Sequence, residues 1–336
     1  MRKVILLGVV LTGFIYALPF VSGEMEIPYQ DAMAQDSRSD DAESTVTAQG
    51  SGTSIMVQID GTPQQMELED YVAGVVAAEA PPTFPPEALK AQAVAARTYA
   101  AYKLASGRPE AHREADVCDD YHHCAAYIDL AAEASGRWGN GAETYQNAIL
   151  EAVRSTAGEI VLYEDKPIIA VFSAAAAEKT ESSADVWGND VPYLQTVDSP
   201  GGEACPKYKG EAHFTAEEFR AIMAKALPAA KLDGTPDTWF TASERSAAGG
   251  IKTATVGGVK VSGTDLRQAF GLNSTNFTLR ADKDSITFLT TGYGHGVGLS
   301  QYGAKYMAEQ GKTYQEILTH YYTGTSIKPL SSATNS

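Results

Sequence analysis

Two periodicities follow one another at the start of the apolar sequence. Ser54 to Asp60 and Pro63 to Leu68 flank Gly61-Thr62 and predict a small hairpin. Beyond it Val72, Val75 and Val76 recur at helical spacing, and Glu79 takes the next position of that apolar face. Pro81 and Pro82 end this helix just past the carboxyl group. A second helix is predicted from Pro86 to about Ala105, with proline in its first turn and an alanine-rich sequence that permits close packing. Residues 106–140 read as loop-rich. A helix over Glu143–Thr156 ends near Gly158, and Glu159–Tyr163 with Ile168–Phe172 reads as a hairpin around Asp165-Lys166-Pro167. A polar loop spans Ser173–Asn189. Thr215-Ala216-Glu217-Glu218 is a capping-box sequence opening a helix to about Leu227. Short strand candidates then alternate with one helix at Thr264–Phe270. A glycine-rich loop and two helices, the last capped by Thr313 and Glu316, close the chain. The pattern predicts an α+β fold without internal repeats.

The first residues differ in character. Arg2 and Lys3 precede an apolar run from Val4 to Phe20, which reads as a signal peptide or a single membrane anchor over residues 1–23. Either keeps the two basic residues in the cytoplasm and exports the rest. Residues 24–53 are polar and read as a flexible linker. The formal charge of −16 leaves no excess of basic residues for a nucleic-acid face. Three cysteines in an exported chain leave one without a disulfide partner.

Four groups of residues could carry chemistry. Glu79 at the end of an apolar stripe has a proton affinity raised by burial and by the negative helix end, which suits a proton donor near neutral pH; the plain alternative is a side chain bent out to solvent. Lys90 and Arg97, seven residues apart on the second helix, with Gln92 and Tyr99 nearby, suit a groove gripping a polar polymer, or form a solvated face. His112, Cys118, His122, His123 and Cys124 cluster in one loop; two thiolates and two imidazoles complete a tetrahedral zinc site, and the alternative is a Cys118–Cys124 disulfide. In Gly292-Tyr293-Gly294-His295-Gly296-Val297-Gly298 the alternating glycines allow very close approach of a ligand or another segment. No phosphate-loop lysine is present, and His295 is a candidate hydrogen-bonding group.

Three separated segments resemble the stage II sporulation protein D family. Leu68 to Glu79 with Glu87 to Tyr99 is similar to its first signature. Lys179-Thr180-Glu181-Ser182 with Val186-Trp187-Gly188 looks like the middle one, and Gly294 to Ala304 like the last. The resemblance implies a membrane-anchored lytic transglycosylase that cuts peptidoglycan glycan strands during spore engulfment, with Glu79 as acid and base. It implies peptide-stripped strands as substrate, and a sporulation amidase and a membrane scaffold protein as partners. Clostridial members carry a His-x5-Cys-x4-His-Cys zinc site, which maps onto His112, Cys118, His123 and Cys124 and leaves His122 aside. Lys90, Gln92, Arg97, Tyr99, Lys179, Thr180, His295 and Gln301 are then the expected glycan contacts. The resemblance also implies a core of residues 54–194 and 291–328, a second domain inserted at 195–290, and a disordered tail at 329–336. Two departures stand out: Ser173-Ala174-Ala175-Ala176-Ala177-Glu178 replaces a more polar stretch, and Ala125 stands where many members have Gln. Amidase enhancers of the same superfamily imply a non-catalytic alternative. A zinc peptidase is a third, disfavoured because four protein ligands would leave no open position.

Overall fold

Asp60 and Gly61 both adopt positive φ, 49° and 78°, and this two-residue turn joins β1 (Ser54–Ile59) to β2 (Thr62–Glu67) as an antiparallel hairpin. The computed structural model describes residues 52–333, so the apolar segment 1–23 and nearly all of the linker expected at 24–53 lie outside the described residues. No described helix is long and apolar enough to cross a membrane.

Helix α1 (Leu68–Glu79) follows without a break. Tyr71 through Ala77 are all buried, so the apolar stripe read from the sequence widens into a helix enclosed on every side. It packs on α2 (Pro86–Ser106), whose alanines at 88, 91, 93, 95, 96, 100 and 101 are buried. Small side chains there let the helices approach closely. Gly74 has a similar use: a Cβ there would stand 2.5 Å from the Ile128 carbonyl, so only glycine lets the 117–128 loop cross α1. That loop begins with β3 (Val117–Cys118), which pairs in parallel with β1. Helix α3 (Leu130–Trp138), capped by the Asp129 carboxylate, lies inside the stretch expected to be loop; α4 (Ala142–Ser155) follows as expected.

Strand β4 (Glu159–Tyr163) pairs with β5 (Lys166–Pro167) only next to the turn. The predicted hairpin arm at Ile168–Phe172 does not form. Ile168 to Val171 go into the core instead, and β6 (Phe172–Ser173) continues toward a later strand. Helix α5 (Ser183–Trp187) starts at a Ser182 cap.

A second hydrophobic core is built from β7 (Lys209–Thr215), α6 (Ala216–Ala226), β8 (Phe240–Arg245), β9 (Ile251–Val256), β10 (Val259–Ser262), α7 (Gly263–Ala269), β11 (Phe277–Ala281) and β12 (Ser285–Thr291). Phe219 is its centre, stacked on Phe270 at 4.7 Å and on Trp239 at 5.3 Å. The first residues of this second core are those of β7. Leu194 belongs to the first core, and Ser199 is tied to Glu178 and Tyr321 there.

The chain returns to the first core through β13 (Leu299–Ser300), parallel to β6, then α8 (Gln301–Glu309), α9 (Tyr314–Tyr321) and β14 (Ser326–Pro329) on β4. The expected disordered tail is ordered as far as it is described. Pro329 pairs with Glu159, and Leu330 N–H donates to the Gly158 carbonyl at 2.7 Å.

Arg97 is 0% exposed. Its guanidinium holds Glu69 at 2.6 Å and donates to the Val153 and Glu159 carbonyls. It joins α1, α2, α4 and β4, and the expectation that it grips substrate is corrected by this burial. Arg97→Ala strands a buried acceptor set and is expected to cost about 3–5 kcal/mol. The measurement is the urea midpoint; an unchanged midpoint would refute the structural role.

Candidate active site and metal centre

Glu79 is the last residue of α1. Its Oε1 accepts a hydrogen bond from Ala126 N–H at 2.9 Å, and the Gln301 side chain supplies another. Burial pushes the carboxyl pKa up, and these two bonds, which favour the charged form, offset only part of the rise. The two influences suit two states of one group. The enclosure favours the protonated acid, while the two donors favour the carboxylate once the proton has left. Among the described residues, no other carboxylate contributes to the shift of Glu79. Gln301 stands at the start of α8, where the Ser300 hydroxyl caps the helix, and its Nε2 donates to Gln92 Oε1 at 3.3 Å.

Four of the five clustered His and Cys residues converge beside α1. The ligand atoms of His112, Cys118, His123 and Cys124 all lie within 4.8 Å of one another. His112 Nε2 is 3.0 Å from His123 Nδ1 and 3.4 Å from Cys124 Sγ, and His123 Nδ1 is 3.6 Å and 3.5 Å from the two sulfurs. A tetrahedral zinc with bonds of about 2.0–2.3 Å implies ligand separations of about 3.3–3.8 Å, which these distances approach. His112 Nδ1 faces the Ala115 carbonyl at 2.8 Å, so this nitrogen carries the proton and Nε2 is left for a metal. Both cysteines are free thiols, so the alternative Cys118–Cys124 disulfide is not formed. A hydrogen bond from Cys118 holds the Cys124 thiol well below its ordinary value, with His112, His123 and Lys103 acting the same way; Cys118 is correspondingly raised. His122 lies outside this set, its ring tilted against Tyr121 and its Nδ1 facing Asp120.

The glycine-rich loop receives another segment of the chain. Tyr293 and Ala175 exchange backbone hydrogen bonds, and Cβ atoms at Gly294 and Gly298 would meet Ser173 and the Val171 carbonyl. The alanines at 175 and 176 are buried against this loop, so the Ala-rich stretch acts here through its backbone. His295 sits within the turn. Its Nε2 donates to the Phe172 carbonyl at 2.9 Å, and its Nδ1 accepts from Val297 N–H at 3.0 Å. Burial, with Arg267 adding to it, lowers its pKa to about 4. The expectation that His295 bonds substrate is corrected, because both ring nitrogens serve the backbone. A depressed folded pKa stabilises the fold above the ordinary value of about 6.5, and that stability is lost as pH falls toward 4. Stability against urea is thus expected to decline over this window, with the His295 ring NMR signals unshifted until pH 5 is passed.

The other expected contacts divide by exposure. Thr180 is fully buried, bonded to the Gln195 carbonyl, and Tyr99 is buried with the Lys103 ammonium over its ring, so neither faces a polymer. Gln92 is buried but reaches the site through Gln301. Lys90 is partly exposed and paired with Glu87, and Lys179 is 51% exposed near Asp198. Three features were given no role from the sequence, although Tyr71 and Glu181 lie within the quoted signatures. The Ala126 N–H is a backbone group. The Tyr71 hydroxyl is buried without a hydrogen-bond partner, near both thiols and Glu79. Glu181, 6% exposed, accepts from Gly250 N–H at 3.0 Å and so ties the first core to the second.

A two-core α+β protein with a carboxyl group at a helix end, held by a loop that carries a His/Cys cluster, is the class that fold and site define. The chain belongs to the stage II sporulation protein D family. Residues 61–163 match the family described as Stage II sporulation protein. The chain is 40% identical over 264 residues to Stage II sporulation protein D of Bacillus subtilis (strain 168), covering 79% of this chain and 75% of that one. It is 38% identical over 264 residues to the Bacillus amyloliquefaciens protein of the same name, with the same coverage. It is also 28% identical over 303 residues to the Amidase enhancer of Bacillus subtilis, covering 76% of this chain and 40% of that one. Membership makes it a sporulation protein.

Proposed function

We propose that this protein is a lytic transglycosylase that cleaves the bond between N-acetylmuramic acid and N-acetylglucosamine in peptidoglycan. The observation that carries the reading is the Glu79 carboxyl, raised by burial yet braced by Ala126 N–H and Gln301. Protonated Glu79 gives its proton to the glycosidic oxygen as the bond from that oxygen to the anomeric carbon breaks. The 6-hydroxyl of the same muramyl residue attacks the anomeric carbon and passes its proton to the Glu79 carboxylate. The product is a 1,6-anhydro sugar, the acid is restored and no water is consumed. One group acting as acid and then base suffices, whereas hydrolysis needs a second placed carboxylate. Lys90 and Lys179 supply cations at the groove, and Gln301 orients the carboxylate.

The cluster holds a structural zinc in this reading, with His112, Cys118, His123 and Cys124 as ligands. Its chemistry is to cross-link the loop that carries the Ala126 N–H. The apolar run within 1–23 anchors the protein, so that the folded part works on septal peptidoglycan outside the membrane. Peptide-stripped strands, a sporulation amidase and a membrane scaffold are the partners. The test is mass spectrometry of peptide-free glycan strands after digestion. Anhydro-muramyl ends are expected; only water-added reducing ends would overturn the proposal. A second reading, a non-catalytic amidase enhancer, is favoured by the likeness to the protein of that name. It predicts that Glu79→Ala keeps full cellular function.

A further inference from the structure

Helix α7 of the second core leans on the first. The Thr264 hydroxyl donates to the Val186 carbonyl at 3.5 Å, and the ring of Trp187, the next residue, lies 5.6 Å from the His295 ring. Arg267 stands one turn further along the same face of α7. Its Nε donates to the Leu272 carbonyl at 3.3 Å, and Asn273, which follows, accepts from Gly294 N–H at 2.9 Å. These contacts set the arginine at the seam of the two cores, beside the glycine-rich loop.

The cation has no counter-charge there. Among the described residues no carboxylate pairs with Arg267, and of its three nitrogens only Nε donates a hydrogen bond. The carboxylates on the surrounding segments are committed elsewhere: Asp185 to Lys252 at 2.8 Å, Glu181 to Gly250 N–H at 3.0 Å and Asp265 to the Ser262 hydroxyl at 2.6 Å. Arg267 is only partly exposed, and burial pulls its pKa down. An arginine that served only as packing would keep its head in water. A partly desolvated guanidinium without a partner costs stability, and its two free nitrogens, side by side in one plane, match the two oxygens of a carboxylate. A glycan strand offers that group: a muramyl residue stripped of its peptide has a free lactyl carboxylate, where a peptide-bearing one has a neutral amide.

We propose that Arg267 is a specificity-determining residue that binds the lactyl carboxylate of a peptide-free muramyl residue. This rests on the glycan reading above. The experiment is isothermal titration into the zinc-loaded Glu79→Gln protein, which binds without turnover. The two probes are a peptide-free tetramer of alternating N-acetylglucosamine and N-acetylmuramic acid, and the same tetramer with its lactyl carboxylates converted to methyl amides. The acid is expected to bind about tenfold tighter than the amide, as a charge-assisted pair allows. Adding Arg267→Gln is expected to bring the acid down to the affinity of the amide and to leave the amide unchanged. Arg267→Lys keeps the charge without the fork and is expected to retain a preference of about threefold. In Arg267→Gln the His295 ring loses a neighbouring cation and is expected to titrate above its value of about 4, which verifies the placement in a folded protein. An undiminished preference for the acid in Arg267→Gln, an equal loss of affinity for both probes, or a His295 titration that does not move overturns the assignment and leaves the glycan reading standing. So does a parent that binds acid and amide alike. A parent that binds neither tetramer overturns both.

Discussion

Glu79→Gln is expected to reduce release of anhydro-muramyl products about a thousandfold, within the range for loss of a general acid–base group, while the protein melts at a higher temperature than wild type at pH 7. Both parts follow from the same enclosure. Gln preserves shape and keeps an oxygen for Ala126 N–H, but it carries no transferable proton. The folded pKa of Glu79 is raised, so the stability its protonated form supplies is complete below the ordinary carboxyl value and is lost as pH rises through the raised value. The amide escapes that loss. The melting advantage of Glu79→Gln should therefore close as the buffer is taken down to about pH 4, the ordinary carboxyl range. In wild type the acid role requires the proton, so the rate should fall on an alkaline limb lying above that range. Calorimetry against pH and the glycan digest check the two halves. A variant with wild-type turnover would end the acid–base assignment. A melting difference independent of pH would show that the carboxyl is not held by burial.

Local signals in the sequence foretold the elements they govern. The Thr215 and Thr313 capping boxes, the proline at the start of α2 and the valine period of α1 are each settled within a few residues, and each element formed as read. The mistaken readings were decided by distant partners. Ile168–Val171 has strand composition, but the core needed those side chains more than β4 needed a long hairpin. Lys90 and Arg97 look alike as helix cations; only Glu69, Val153 and Glu159, brought together by the fold, make Arg97 internal. The glycine loop showed that something approaches closely, and the structure shows that the visitor is the chain itself at Ser173–Ala176. Glu79 could be placed from its position on α1, whereas the donors that brace it come from Ala126 and Gln301, which lie 47 and 222 residues away.

Removing metal with a strong chelator is expected to lower the melting temperature by about 10 °C and to abolish most turnover, with both restored by added zinc. The argument starts from the site as folded. Four ligand atoms meet within 4.8 Å, two of them thiols, and the groups around Cys124 favour the thiolate form that a cation binds. A bound ion adds to stability by mass action, and a few kcal/mol moves a protein of this size by several degrees. The loss should be local first. Residues 112–128 are held by few regular backbone pairings, since β3 supplies only two residues to its sheet. Amide exchange should therefore rise in that segment before it rises in α2. Turnover follows because Ala126 N–H leaves the Glu79 carboxylate, so Cys118→Ala should reproduce the chelated protein in all three readouts. Turnover lost at an unchanged melting temperature, with amide exchange in 112–128 undisturbed, would refute a structural ion and place the metal in the chemistry.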